Sequence, residues 1–165
     1  MLSEPIVKLL NRQVTFEFYS SNLYLQMSAW CDVKGLDGCA AFLQAHAREE
    51  FEHGYKLFNY VNETGTMASI GAIEAPPQDF GSVGELFRQV YEHEVLVTKR
   101  INELVSATIK DEDFSTLNFL QWYVAEQHEE EHLISQILDK IKIIGEQGSG
   151  VFFIDKAVRE LLRKS

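Results

Sequence analysis

Four long stretches of this sequence carry apolar residues at alternating steps of four and three, which is the spacing of one buried face of an α-helix. Proline, which breaks helix interiors, occurs only three times in 165 residues, and two of the three are adjacent at Pro76 and Pro77. The pattern therefore predicts long, nearly uninterrupted helices that pack their apolar faces against one another.

Cap and turn signals predict where these helices begin and end. Proline is favoured in a first turn and glycine after a last turn, and Ser82-x-x-Glu85 matches a capping box. The predicted helices run from near Pro5 to a turn at 34–38, from there to near Gly65, from Ser82 to 110–113, and from there to about Gly145.

The second and third helices are separated by a segment, about residues 65–82, in which glycines and prolines interrupt the helical pattern. The turns on either side of this pair are short, so the first two helices and the last two should each form an antiparallel hairpin. A short apolar segment with helical spacing follows at about 150–163. We therefore expect an all-α fold, formed by residues 1–165 as one domain: a four-helix bundle with one long crossover and a short fifth helix.

The charge balance excludes several kinds of partner. Lys and Arg total 15 and Asp and Glu total 25, and the net charge of −10 argues against nucleic acid and anionic membranes and favours cations. No apolar run approaches the roughly 18 residues that a membrane-spanning helix needs. The first residues contain neither a basic region nor an apolar core, so we expect no signal peptide.

The two cysteines, Cys31 and Cys39, both fall on predicted buried stripes. Two cysteines are too few for a disulfide framework, and they suit the reducing cytosol. We therefore expect a cytoplasmic protein with buried free thiols, the alternative being one bridge between the two.

Each predicted stripe is interrupted at mid-length by polar residues. The interruptions are Glu17, Glu50 with His53, Glu94, and Gln127 with Glu130. The members of a pair are three residues apart, so both project from one helix face. The two halves of the chain repeat one offset, since 50 − 17 = 33 and 127 − 94 = 33. Two hairpins folded around a pseudo-twofold axis would bring all six side chains together at the centre of the bundle.

Carboxylates and an imidazole on a buried face are costly unless something pairs with them, and a metal ion is the simplest partner. This ligand set is too hard for copper(I) and too acidic for a structural zinc site. It suits two divalent or trivalent ions bridged by a carboxylate, with iron first and manganese next. The alternative is that the acids are ordinary solvated charges and that His53 is a satisfied core histidine.

A second register is conceivable on the fourth helix, because Glu129-x-x-His132 is a literal Glu-x-x-His. That register would change the offset in the second hairpin from 33 to 35 residues. It would also exclude Gln127 and Glu130, which share a stripe with Tyr123. We therefore expect His132 to face solvent or a neighbouring subunit.

Two segments resemble the bacterial non-haem ferritins, members of the ferritin-like di-iron carboxylate family. The fourth-helix signature of that family is closely matched by residues 118–131, NFLQWYVAEQHEEE, and its first helix is similar to residues 19–30, YSSNLYLQMSAW. The likeness extends over essentially the whole chain. It implies iron storage by a ferroxidase, in which O2 or peroxide oxidises Fe(II) at a di-iron site. The Fe(III) would be stored as mineral inside a cage of twenty-four identical subunits.

The resemblance also implies roles for individual residues. The six polar residues that interrupt the stripes would serve two irons. The first iron would be bound by Glu17, Glu50 and His53. The second would be bound by the bridging Glu50, Glu94 and Glu130, with Gln127 beside them. A third, weaker iron site would fall on Glu49, Glu126, Glu129 and Glu130. Tyr24 matches a tyrosine that the family places near the di-iron centre. A solvated acidic cluster and an ordinary core tyrosine are the alternatives for these outer residues.

Haem is not expected. Haem-carrying bacterioferritins have a second Glu-x-x-His where this chain has Gln127-x-x-Glu130, and the methionine that binds their haem corresponds to the neighbourhood of Glu52, where no methionine occurs. Two other functions stay open on the same fold: a passive buffer of divalent metal, and iron-dependent detoxification of peroxide.

Overall fold

The computed structural model describes residues 2–162 and confirms the predicted all-α fold. Within this range the chain forms five helices and no strand: α1 (Glu4–Val33), α2 (Asp37–Glu63), α3 (Val83–Lys110), α4 (Phe114–Ile144) and α5 (Gly150–Leu162). Residue 163, the predicted end of the fifth helix, lies outside the described residues. None of the described helices is long and apolar enough to cross a membrane.

The helix starts follow the cap signals of the sequence. Pro5 lies in the first turn of α1, where its missing N–H would have had no partner within the helix. At the start of α3 the backbone N–H of Glu85 donates to the Ser82 hydroxyl, and the Ser82 N–H donates to the Glu85 carboxylate. The predicted capping box is therefore confirmed. Between α1 and α2, Gly35 has a φ of +73°, which favours glycine and allows the short turn.

The crossover, residues 64–82, spans the length of the bundle. Arg12 contacts Glu103 and Ser20 contacts His93, so α1 and α3 are antiparallel. Since α1 is also antiparallel to α2, α3 runs parallel to α2. The chain must therefore return from the end of the bundle where α2 ends to the opposite end, where α3 begins. The 27 residues of α2 span about 40 Å. Nineteen extended residues reach up to roughly 60 Å, so the crossover is long enough to return the chain.

Side chains of α1 hold the crossover in place. The Ser69 N–H donates to Asn11 Oδ1 at 3.0 Å, and the Gly71 N–H donates to Thr15 Oγ1 at 2.9 Å. These N–H groups belong to no helix, so they need acceptors from elsewhere in the chain. The long connection is thereby fixed along one face of the bundle.

The core consists of two apolar clusters, one towards each end of the bundle, and each draws on all four long helices. The first includes Leu10, Leu57, Ile101 and Leu120, and the second includes Met27, Leu43, Phe87 and Ile137. Both cysteines are buried in the second cluster, and within the described part of the chain both are free. Between the clusters the four helices pass through a layer in which the buried side chains are polar.

The short helix α5 is fastened to the start of α2. The Asp155 carboxylate accepts hydrogen bonds from the N–H groups of Gly38, at 3.0 Å, and Cys39, at 2.8 Å. First-turn N–H groups have no acceptor within their own helix, so Asp155 supplies one. Ile154 and Val158 are the buried apolar side chains of α5, whereas Phe152 and Phe153 are 68% and 51% exposed. The helix is thus anchored by one face and presents an apolar surface with the other.

Candidate metal centre

The polar layer is made of the six side chains that interrupt the apolar stripes in the sequence. One comes from α1, one from α3, and two each from α2 and α4. Their exposed fractions range from 0% for Glu17 and Glu94 to 8% for His53. The structure therefore places all six in the interior, at the level that separates the two apolar clusters.

Glu17, Glu50 and His53 form a fully buried group of possible metal ligands in this layer. One ligand atom from each lies within 4.8 Å of the other two. Among the described residues, four buried atoms of this group have no hydrogen-bond partner: Glu17 Oε2, both carboxylate oxygens of Glu50, and His53 Nδ1. Two of them, His53 Nδ1 and Glu50 Oε2, lie 3.5 Å apart. Each buried polar atom left unpaired costs on the order of 1–3 kcal/mol. A cation among the three side chains would satisfy these atoms, so the donor set fits a divalent metal ion.

Glu94 is held from two sides. The Tyr24 hydroxyl donates to Glu94 Oε1, and the Gln127 amide donates to Glu94 Oε2 at 3.0 Å. Because the amide nitrogen of Gln127 is used in this way, its carbonyl oxygen is directed elsewhere. That oxygen is buried and has no partner within residues 2–162. Tyr24 and Gln127 therefore orient the carboxylate that α3 contributes.

The carboxylates of the layer repel one another. Burial raises the pKa of Glu50 well above its ordinary range, and the charges of Glu94 and Glu17 raise it further. Burial also raises the pKa of Glu94 to about 7, with the charge of Glu130 adding to the shift. Four acids at this depth cannot all ionise without a compensating cation. The layer is therefore built for positive charge that the chain itself supplies only in part.

We expect the metal-free protein to lose stability through Glu94 as the pH rises. This carboxyl ionises near 4.5 in the unfolded chain but near 7 in the folded protein. Between these values the folded state binds more protons, so a rising pH favours unfolding. The shift corresponds to roughly 3 kcal/mol. Denaturant unfolding with a chelator present should show a flatter pH dependence for Glu94→Gln than for wild type from pH 4.5 to 7. Equal slopes would contradict the assignment.

His46 is buried beside the layer but is not among the site residues predicted from the sequence. Its Nε2 lies 3.0 Å from Glu130 Oε2, and its Nδ1 lies 3.1 Å from the Phe42 carbonyl oxygen. Burial lowers the pKa of His46, but the hydrogen bond and charge of Glu130 outweigh this and raise it to about 9. His46 is therefore a charged partner of Glu130. Its place on the buried stripe of α2, one turn before Glu50, is the signal that the sequence offers.

Gln13 is a second residue that sequence reasoning did not assign to the site. It is 1% exposed, and its amide donates to Glu17 Oε1 from one turn earlier on α1. This hydrogen bond leaves the other oxygen of Glu17 directed towards Glu50 and His53. A polar residue on a buried stripe, four positions before a proposed ligand, is the available signal.

The outer acids behave differently from one another. Glu49 lies beside the layer, with one ligand atom each from Glu49, His46 and Glu130 within 4.8 Å of one another. Glu126 is half-buried and Glu129 is exposed. Over residues 2–162, neither of these two joins a group of three such ligands. The structure thus places His46 next to Glu49, where the resemblance suggested only glutamates.

The alternative register on α4 is not the one that the structure adopts. Glu129 and His132 are both exposed, and His132 Nε2 lies 2.9 Å from the Gln136 amide nitrogen. Gln127 and Glu130, in contrast, are 1% and 5% exposed. The residues at the 33-residue offset therefore face the interior, as predicted.

The layer opens to solvent between α2 and α4. A groove of about 450 Å³ reaches His53 there, with Glu52, Lys56, Trp122 and Glu126 among its lining residues. A larger cavity, about 610 Å³, lies between α1 and the crossover, but its described lining includes none of the six polar residues. The smaller groove is therefore the opening that concerns the metal centre.

Known proteins are similar to this chain in sequence and in fold. Residues 7–144 match the ferritin family as a ferritin-like domain. The chain is 58% identical to a probable bacterial non-heme ferritin-like protein of Haemophilus influenzae, over 100% of both chains. It is 47% identical to the bacterial non-heme ferritin of Escherichia coli O157:H7, over 98% of both. An open pore ferritin from Archaeoglobus fulgidus superposes with a TM-score of 0.93 at 44% identity, over 96% of this chain and 98% of that one. The predicted resemblance is therefore confirmed, and the chain belongs to the ferritin family.

Proposed function

We propose that this protein stores iron, oxidising Fe(II) to Fe(III) at the polar layer and keeping the product as ferric mineral inside a homo-oligomeric cage. Membership of the ferritin family supports iron storage. The observation that carries the ferroxidase proposal is the group of buried carboxylate and imidazole atoms of Glu17, Glu50 and His53, which lack partners within the described range. In this proposal residues 1–165 act as one cytoplasmic domain.

Two iron ions would share the layer as substrates. The first would be bound by Glu17, Glu50 and His53, and the second by the bridging Glu50, Glu94 and Glu130, with Gln127 beside them. Glu50 suits the bridging role because both of its oxygens are buried and lack hydrogen-bond partners among the described residues. A bridging carboxylate also keeps the two ions close, so that both can give an electron to one oxidant molecule.

The carboxylates would favour oxidation because hard anionic oxygens stabilise Fe(III) more than Fe(II). Two Fe(II) ions give two electrons to O2, and two protons complete one hydrogen peroxide. If peroxide is the oxidant, the same two electrons and two protons break its O–O bond and yield two water molecules. The protein's part is to bind both ions together and to hold the anionic oxygens in place.

Tyr24 would support this reaction by orienting Glu94. Its hydroxyl donates to that carboxylate, and burial, together with the charges of Glu94 and Glu50, raises the pKa of Tyr24. The phenol therefore keeps its proton at neutral pH and remains a hydrogen-bond donor. This arrangement fits a tyrosine that acts beside the di-iron centre.

Glu49, Glu126, Glu129 and Glu130 would form a third, weaker iron site between the layer and the cavity of the cage. We expect Glu49→Ala to leave the first round of Fe(II) oxidation nearly unchanged, because Glu49 is exposed and lies outside the group of Glu17, Glu50 and His53. Later rounds should slow as the route beyond the di-iron pair changes. Stopped-flow oxidation over repeated iron additions measures both phases. Unchanged kinetics in every addition would reduce Glu49 to an ordinary solvated charge.

The cage would consist of twenty-four subunits. Exposed apolar side chains remain on the isolated chain, among them Phe51, Met67, Phe152 and Phe153, and patches of this kind mark interfaces. We expect light scattering at neutral pH to give the mass of twenty-four chains of 18.9 kDa. The mass of a monomer or a dimer would contradict the cage.

Oxygen uptake after addition of Fe(II) to the metal-free protein separates the proposed function from its alternatives. A ferroxidase consumes O2 rapidly until the two iron positions of each chain are filled. A passive buffer binds Fe(II) without consuming O2 faster than the solution does. A peroxide-detoxifying protein reacts slowly with O2 but rapidly when hydrogen peroxide is added without air. Uptake no faster than in protein-free solution would refute the ferroxidase proposal.

A further inference from the structure

Gly54 lies next to His53 on α2, and it faces α1. A Cβ atom added at Gly54 would lie 3.1 Å from Glu17 Cβ and 2.9 Å from Cε1 of the Phe18 ring. Carbon atoms not bonded to each other normally stay about 3.5–4.0 Å apart. The two helices therefore approach this closely because position 54 has no side chain.

The conformation of the backbone does not explain a glycine here. Gly54 lies well inside α2, and its φ is not positive. In a helix interior alanine is preferred over glycine, because glycine loses more conformational freedom on folding. The reason for glycine at this position is therefore its contact with α1.

The Phe18 ring fills the space beside Gly54. It packs against the ring of Phe51, with centroids 5.4 Å apart and planes inclined by 42°. Phe51 lies three residues before Gly54, so both residues are on the α2 face that meets α1. Glu17, next to Phe18 on α1, is 0% exposed. The ring thus lies between α1 and α2 beside a proposed metal ligand.

We propose that Gly54 and Phe18 together are positioning residues for Glu17, and this inference rests on the proposed metal-binding function. Glu17 is the contribution of α1 to the ligand set, so its distance from Glu50 and His53 depends on the separation of α1 and α2. A side chain at position 54 would push α1 outward, or displace the Phe18 ring and admit water between the two helices. Either change would move or solvate the Glu17 carboxylate.

Cobalt(II) tests this without oxidation, because it prefers similar ligands to Fe(II) and its visible absorption reports the geometry and identity of those ligands. We expect Gly54→Ala to weaken the first Co(II) binding step about tenfold, the size of effect seen when the support of a metal ligand is removed. The absorption spectrum should change as well. Shortening the ring in the double variant Gly54→Ala/Phe18→Leu should restore both the affinity and the spectrum.

Two controls isolate the contact. Gly71→Ala adds a Cβ that would lie 3.5 Å or more from its neighbours on Thr15, and it should leave Co(II) binding unchanged. Phe18→Leu alone shows the effect of the shorter side chain without the added Cβ.

The outcomes are distinct. Wild-type affinity and spectrum in Gly54→Ala would overturn the inference, and so would a loss that Phe18→Leu does not restore. If Gly54→Ala does not fold, the double variant decides alone, since it should fold and bind as the wild type does. Failure of the wild-type protein itself to bind Co(II) would instead refute the proposed metal site.

Discussion

Replacing Glu50 with alanine is expected to abolish rapid Fe(II) oxidation while leaving the bundle folded. Glu50 is 1% exposed and would bridge the two irons, so its loss removes a ligand from both. Mutation of a residue that only hydrogen-bonds to a metal ligand typically costs 10- to 100-fold in affinity or activity. Loss of a ligand shared by both irons should therefore cost roughly 100-fold or more. Stopped-flow absorbance after mixing with Fe(II) under air measures the initial rate.

Glu92→Ala is the matched control for this experiment, because Glu92 lies two residues before Glu94 on α3 and is exposed. Its initial rate should stay close to that of the wild type. Circular dichroism shows whether each variant keeps its helices. A folded Glu50→Ala protein that oxidises Fe(II) at the wild-type rate would show that the site lies elsewhere.

Replacing Glu50 with methionine should stabilise the metal-free protein, although it removes a proposed iron ligand. The Glu50 carboxylate is buried among other acids. Within residues 2–162 neither of its oxygens has a hydrogen-bond partner, and Oε2 lies 3.5 Å from His53 Nδ1. A methionine keeps the length of the side chain and removes the polar atoms. Exchanging buried charged groups for apolar ones of similar size often stabilises by about 1–4 kcal/mol. We expect a higher melting temperature at pH 7 in the presence of a chelator.

The gain from Glu50→Met should depend on metal and on pH. A divalent cation such as Zn(II) should stabilise the wild type more than the variant, because ligands that bind the folded state raise its stability. Burial raises the pKa of Glu50 in the folded state, so folding at neutral pH must take up a proton or bury a charge. Below about pH 4.5 the unfolded chain is protonated at this position as well, so the gain should shrink. Glu92→Met provides an exposed control. A lower melting temperature for metal-free Glu50→Met would show that Glu50 contributes to folding and not chiefly to metal binding.

Most of the fold was predictable because helical periodicity is a local property of the chain. The capping box at Ser82 and the short turn near Gly35 are also local signals, and they placed the helix starts within a residue or two. The crossover was recognisable by the loss of the helical stripe between residues 65 and 82. Its attachment to Asn11 and Thr15 was not, since that depends on which face of the bundle it follows.

The six polar residues were predictable for a similar reason. Each interrupts an otherwise apolar stripe, and the repeated offset of 33 residues places them at one depth in two similar hairpins. Their burial follows from the stripe alone. Which atoms lack partners, and how Tyr24 and Gln127 share Glu94, depends on side-chain geometry that no spacing rule contains.

His46 and Gln13 show where the sequence stops being informative. Both lie on buried stripes, but the partner of His46 is Glu130, which is 84 residues away on another helix. Spacing along one helix does not fix the axial shift between two helices, so such a pair cannot be deduced from it. Gly54 is a similar case, because its contact with Phe18 becomes visible only when α1 and α2 are placed together.

In the proposed function the buried polar layer binds two iron ions in each chain. Titration of the metal-free protein with Fe(II) in the absence of oxygen, with bound and free iron measured at equilibrium, gives this stoichiometry. We predict two tightly bound Fe(II) per chain in the wild type and the loss of this stoichiometry in Glu50→Ala. Admitting air should then oxidise the bound iron in the wild type. No tight binding before oxygen is admitted, or two ions bound equally well by Glu50→Ala, would contradict the claim.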